Sequence, residues 1–85
     1  MIQIKTFRFI GSKTDGLDEN RNPRLKQTPT KDIDKTINDF LAKCNGKYVN
    51  LYVSILQLSY HNNCGYHNNE LVYTLVYDDG KYANL

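Results

Sequence analysis

The chain has no tryptophan, one methionine, two prolines and two cysteines among its 85 residues. Cys44 and Cys64 could form at most one bridge, which excludes a disulfide-stapled miniprotein, and with no export signal the default is two reduced thiols. No apolar run approaches the ~18 residues that a membrane span requires, so no membrane partner is expected. Lys5 and Arg8 fall where a signal peptide would need its apolar core, which points to the cytoplasm. A surplus of one charge is also missing. The formal net charge of +2 falls short of the strongly basic footprint of nucleic-acid binders. There is no G-x-G-x-x-G, Walker loop, helix-turn-helix or RNA-recognition motif, so no cofactor is expected and nucleic acid is a poor candidate partner.

What is present is globular in proportion, with 24% charged and 40% hydrophobic residues. A chain of this length makes one domain and hides only about 60–65% of its unfolded surface, so its core must be thin. Seven tyrosines and ten asparagines stand out. Such an Asn-, Lys- and Tyr-rich, Ala-poor chain fits an AT-rich genome, as in a low-GC bacterium or its phage.

Ile2 to Ile10 reads as a strand whose apolar side switches near Thr6, from Ile2 and Ile4 to Phe7 and Phe9, which suggests a bulge or a strand covered on both sides. Gly11 to Thr30 reads as a long polar connection holding Gly16, Pro23 and Pro29. Connections beyond ~12–15 residues in a compact domain are functional or disordered as a rule. Arg21, Arg24, Lys26 and Lys31 make it locally basic, with no acid between Asn20 and Lys31. It is either a solvated loop or an arm that closes on an anion or an acidic surface.

Residues 31 to 44 carry the clearest helix, with Ile33, Ile37, Phe40, Leu41 and Cys44 on one stripe of a 3.6-residue period. Thr28 or Thr30 can cap its start, Asp39 and Lys43 are spaced for an ion pair, and Asn45-Gly46 stops it, with Gly46 able to take positive φ. Cys44, ending the stripe, reads as a small core residue. Tyr48 to Tyr60 is a long strand, with Val49, Leu51, Val53 and Ile55 on one side and Tyr48, Tyr52, Leu56, Leu58 and Tyr60 on the other. Leu71 to Tyr77 is its hairpin partner. Asp78-Asp79-Gly80 is a turn, followed by a tail or short strand. The expected fold is α+β, in the order β-α-β-β, a small antiparallel or mixed sheet of three strands with one helix on one face.

One helix covers only one face of such a sheet. The aliphatic row should take it, leaving a flank of Tyr48, Tyr52, Leu56, Leu58, Tyr73 and Tyr77 for a partner unless the Gly11–Thr30 connection folds back over it. A homodimer or higher oligomer is the expected outcome.

Candidate chemistry concentrates between the last two strands, where Tyr60-His61-Asn62-Asn63 recurs as Tyr66-His67-Asn68-Asn69. His61, Cys64 and His67 form H-x2-C-x2-H, which is not a paired structural-zinc spacing, so no metal is assigned. Cys64 flanked by His61 and His67 could serve as a nucleophile, but the loop holds no carboxylate to orient a base. The plain reading is a polar hairpin connection. A third reading has Asn68, His61 and His67 hydrogen-bond a base or ribose while Tyr60 or Tyr66 stacks on it.

The blocks Ile2-Gln3-Ile4-Lys5, Ile37-Asn38-Asp39-Phe40-Leu41, Val53-Ser54 and Leu71 to Tyr77 resemble the small sporulation-associated proteins of the Cse type, found in Firmicutes with related short proteins in phages and mobile elements. The resemblance spans about half the chain and implies a small β-α-β-β domain. It departs from that pattern in the long connection and the His/Asn-rich loop, and it carries over no functional residue.

The expected function is a non-enzymatic binding protein of phage or mobile-element type, such as an anti-defence inhibitor. It would sequester a nucleotide-like signal through Arg21, Arg24 and Lys26 with Tyr60, His61, Tyr66, His67 and Asn68, or block a host protein surface. The alternatives are a sporulation or housekeeping accessory acting by assembly, and a Cys/His enzyme using Cys64.

Overall fold

The computed structural model describes residues 1–61 and 66–81, with only the backbone described for residues 59–61, 66 and 67. The fold is α+β, with one helix on a four-stranded antiparallel sheet. Strands β1 (Ile2–Leu17), β2 (Pro23–Lys26), β3 (Lys47–His61) and β4 (Tyr66–Asp78) lie in the order β2-β1-β4-β3, and helix α1 (Thr30–Lys43) falls between β2 and β3 in the chain. The expected count of three strands is corrected to four. The Gly11–Thr30 segment neither hangs free nor folds over the sheet. Its first part continues β1, and its second returns as β2, pairing Lys13 with Lys26 and Thr14 with Leu25.

Polar chemistry closes that hairpin. The Asp18 carboxylate accepts from the backbone N–H groups of Asn20 and Asn22, each at 2.8 Å. Aspartate hydrogen-bonding its own downstream backbone is an Asx turn. Arg21 takes φ 63° and Gly16 φ 74° to complete the reversal. Thr28 then docks the exit of β2 on β1. Its N–H donates to the Ile10 carbonyl at 3.0 Å, and its hydroxyl accepts from the Ile10 N–H at 3.1 Å. Thr28 is thereby spent on the strand, and the helix begins behind Pro29 with no side-chain cap.

The helix keeps its sequence stripe. Ile33 and Ile37 are buried with Leu75 of β4, which is wholly inaccessible. Phe7, Phe9, Phe40, Leu41, Leu51, Leu71, Tyr73 and Tyr77 pack around them. Edge-to-face ring contacts join Phe7 to Phe40 (5.5 Å), Phe40 to Tyr77 (5.2 Å) and Phe9 to Tyr73 (5.6 Å), an arrangement that the ring quadrupole favours. The ion pair on the outer face joins Lys35 to Asp39 at 2.6 Å rather than Asp39 to Lys43. Gly46 N–H donates to the Leu41 carbonyl (2.8 Å) and Asn45 N–H to that of Ala42 (3.3 Å), a Schellman ending. Asn45, at φ 53°, supplies the left-handed residue expected of Gly46. Gly46 is needed for a different reason. A Cβ there would stand 2.9 Å from the Tyr77 ring and 3.1 Å from the Cys44 sulfur.

Register explains why the apolar side of β1 switches. Pairing with β4 is regular from Ile2 opposite Asp78 to Ile10 opposite Glu70, with the irregularity falling after Ile10. Phe7 and Phe9 therefore lie under the helix with Tyr73 and Leu71, whereas Ile2 and Ile4 point to the opposite face and stay 55% and 68% exposed. No bulge near Thr6 and no second covering layer is present among the described residues; the second face is open. The helix is also too short for its sheet. Fourteen residues span ~21 Å, whereas the molecule extends 61 Å along its longest axis. Of the row expected to receive the helix, Leu51 does so. Val53 and Ile55 share its face but remain 53% and 69% exposed, and Val49 is the extra residue of a bulge.

Candidate functional site

The open face can be read row by row across β1, β4 and β3. Ile4, Val76 and Asn50 form one row, followed by Thr6, Thr74 and Tyr52, then Arg8, Val72 and Ser54, then Ile10, Glu70 and Leu56. Its near end is apolar, with Ile2, Ile4 and Tyr52 all more than half exposed. Its middle is crossed by an ion pair, Arg8 Nε to Glu70 Oε2 at 2.5 Å. Between two partly exposed side chains such a pair contributes little stability, about 0–1 kcal/mol. Its consequence is to place a charged bar across the middle of the face.

Beyond that bar the face turns basic. The irregularity at Gly11 resets β1 so that Ser12 lies opposite Asn69 and Lys13 opposite Asn68. Asn68 is two residues before Glu70, so Lys13 and Asn68 belong to the open face. Lys13 is also opposite Lys26, and Asn68 is opposite Ser59. One row, Lys26–Lys13–Asn68–Ser59, thus crosses all four strands. Arg24, two residues before Lys26, shares that face, and its Nε donates to the Asp15 carbonyl at 3.4 Å. Asp15, Arg24, Leu25, Lys26 and Gln27 border a shallow open concavity of about 430 Å³. Arg21 sits at the hairpin turn. Like charges held opposite each other across a strand pair are destabilising, and an anion bound between Lys13 and Lys26 would relieve the repulsion.

Two segments far apart in sequence, the basic connection and the start of the His/Asn-rich loop, are therefore brought to one end of the sheet by the β1–β4 pairing. Of the residues expected to bind a ligand, Arg24, Lys26 and Asn68 share that end of the face. Tyr60, His61, Tyr66 and His67 lie on the same ends of β3 and β4 by register, with their side chains outside the described residues, as is Cys64 altogether. Lys13 was not singled out by sequence, because only the register reveals its neighbours.

The tyrosine flank divides. Tyr52 and Leu56 do lie on the open face. Tyr73 and Tyr77 lie on the helix face as partly buried members of the core, so neither borders the open face. The bulge at Val49 turns Tyr48 to the same side as Tyr77, and Leu58 is the extra residue of a second bulge. The positions of Tyr73 and Tyr77 follow from β4 being the central strand, whose helix-side row, Leu71, Tyr73, Leu75 and Tyr77, supplies the middle of the core.

Among the described residues no three His, Cys, Asp or Glu side chains come together to hold a metal, and no helix is long and apolar enough to cross a membrane. Cys44 is half-buried at the helix end, its thiol directed to the Leu41 carbonyl at 3.7 Å. At the opposite end of the sheet the amino terminus meets the turn that follows β4. The Met1 ammonium contacts Asp78 at 3.1 Å, Asp79 at 3.2 Å and the Lys81 carbonyl. Asp78 is held below its ordinary pKa by the Gly80 N–H and then by the ammonium, and Asp79 chiefly by the Lys81 N–H. The ammonium is raised, mainly by its bond to Asp78. These carboxylates fasten the amino terminus and are not arranged as an acid–base pair. No protein-family model, curated protein or solved structure matches this chain.

Proposed function

We propose that this is a non-enzymatic binding protein that holds a small nucleotide-like anion at the basic end of its open face. The observation that supports this reading is the row Lys26–Lys13–Asn68 beside Arg24. Two lysines opposed across a strand pair, with an amide next to them, offer charge for a phosphate and hydrogen bonds for a base or sugar. Leu56, 42% exposed on the open face opposite Glu70, lies one register step from Asn68 and offers an apolar side chain against which a ring could pack. A protein of this kind acts by sequestration, as would suit an inhibitor of phage or mobile-element type that titrates a host signal.

Calorimetry against a panel of mono-, di- and cyclic nucleotides tests the reading. We expect micromolar binding of at least one member, lost when Lys13 and Lys26 are both replaced by Glu. No binding across the panel at micromolar concentrations would overturn it.

A second reading, an accessory that acts by assembly, is favoured by the exposure of Ile2, Ile4 and Tyr52. It predicts capture of a protein partner that is lost on Ile4→Lys and retained in the Lys13/Lys26 double variant.

A further inference from the structure

Strand β3 is 15 residues long and stands at the edge of the sheet, paired on one side only among the described residues. Alternate residues of an edge strand direct N–H and C=O groups outward, and natural proteins blunt such edges with charge, proline or short length. Beyond Lys47 at its start, β3 has none of these. From Tyr48 to Tyr60 it contains no charged residue and no proline. It is also exposed on both faces at once, with Val53 and Ile55 on the helix side and Tyr52 and Leu56 on the open side between 42% and 69% accessible. An edge strand with apolar side chains exposed above and below offers a neighbouring strand both its backbone and the flanks of those side chains.

We infer that two copies of this chain pair β3 to β3 antiparallel, centred on Ser54, to form one continuous eight-stranded sheet. The strand is self-complementary in that register. Val53 of one copy faces Ile55 of the other on the helix side, and Tyr52 faces Leu56 on the open side, each pair occurring twice about the two-fold axis. Aromatic–aliphatic and β-branched cross-strand pairs of this kind stabilise antiparallel sheets. No like charges meet between Asn50 and Leu58. The bulges at Val49 and Leu58 leave a regular stretch from Asn50 to Gln57, which contains the symmetric segment Leu51–Gln57. Shifting the centre to Val53 sets Tyr52 against Ser54 and Leu56 against Asn50, which loses both apolar matches on the open face.

Edge pairing removes from water only the flanks of Val49, Tyr52, Val53, Ile55, Leu56 and Leu58, so the contact falls at the small end of specific interfaces, below about 1,200 Å², and the backbone ladder supplies the rest of its stability. The two-fold axis runs normal to the sheet, so both helices lie on one face with Val53 and Ile55 between them. The two open faces join into a single surface with a basic cluster at each end. The pairing stands apart from the anion reading, since Lys13 on β1 and Arg24 and Lys26 on β2 lie two and three strands from the contact.

Solution mass by light scattering, with a crosslink to fix the register, tests the inference. The full chain should run at twice its 9.9 kDa mass. Ile55→Lys, at a site too exposed to disturb the monomer fold, should raise the dimer dissociation constant at least tenfold with an unchanged circular dichroism spectrum. In a chain with Cys44 and Cys64 replaced by Ser, Ser54→Cys should oxidise to a covalent dimer, because directly opposed Cα atoms are ~4.5–5.5 Å apart, within disulfide reach. Gln57→Cys should not. A monomer at all concentrations up to ~1 mM, the Kd of weak association, would overturn the inference. So would a dimer untouched by Ile55→Lys, or a crosslink at residue 57 rather than 54. Anion binding is read separately by calorimetry on the Ile55→Lys monomer.

Discussion

Lys13 and Lys26 stand directly opposite each other across the β1–β2 pairing. Two ammonium groups in that position repel, and opposite-charge pairs are better than like ones by roughly 0.2–1 kcal/mol. Lys26→Glu should therefore stabilise the protein by up to about 1 kcal/mol while weakening anion binding, a divergence that urea denaturation and calorimetry on the same variant would show. A loss of both stability and binding would mean that the two lysines are held apart by contacts of their own.

The core is small, and its centre is one side chain. Leu75 is wholly buried between Ile33 and Ile37 of the helix and the β1 and β3 rows. Leu75→Ala should cost about 2–5 kcal/mol, the range for emptying a buried leucine site, and in a domain this thin that is a large part of the total. Ile4→Ala, on the open face, should change stability by less than about 0.5 kcal/mol, as exposed substitutions do. Chemical denaturation of the two variants compares them, and equal losses would mean that the open face is covered in solution.

Gly46 is held by space rather than by backbone conformation. A methyl at this position would press on the Tyr77 ring at 2.9 Å and on the Leu41 side chain at 3.2 Å. Gly46→Ala should destabilise by about 1–3 kcal/mol through overpacking. Asn45→Gly, at φ 53°, should be neutral or stabilising because glycine enters the left-handed region without strain. Thermal unfolding of both variants separates packing from backbone strain.

The fastening of Met1 to Asp78 and Asp79 sets a pH window. Both carboxylates are lowered from 3.8, so their contribution is complete above that value and fades as pH falls through their folded pKa values. The ammonium is raised from 8.0, so its contribution is complete below that value and fades as pH rises through its folded pKa. Proton exchange at the Asp79 N–H, which donates to the Met1 carbonyl at 3.1 Å, should be slowest relative to intrinsic rates between these limits. Acetylation of the amino group should abolish the alkaline limit and leave the acid one. An alkaline limit that survives acetylation would assign it to another group.

Much of this architecture was legible in the sequence, because helix periodicity at Ile33, Ile37, Phe40 and Leu41 and alternation along Tyr48–Tyr60 are local signals. The β1–β2 hairpin was not. Its strands are polar, with Lys13, Thr14, Asp15 and Arg24, Leu25, Lys26 showing no alternating apolar face, and hairpins of that kind are fixed by turn chemistry at Asp18, Gly16 and Arg21. Neither was the fate of the tyrosines. Alternation places Tyr73 and Tyr77 on one side of β4 and Tyr52 on one side of β3, but only the pairing register tells which sides coincide. A single bulge at Val49 moves Tyr48 across the sheet. The same dependence hid Lys13 from the basic cluster, since its partners Lys26 and Asn68 lie 13 and 55 positions away.

One titration examines the claim that the face opposite the helix is the binding surface. Amide shifts of the labelled protein can be followed as each mono-, di- and cyclic nucleotide of the panel is added in turn. Shifts should concentrate at Lys13, Arg24, Lys26 and Asn68 and fade towards the helix residues Ile33 and Ile37. Shifts centred on the helix, or none at millimolar ligand, would refute it.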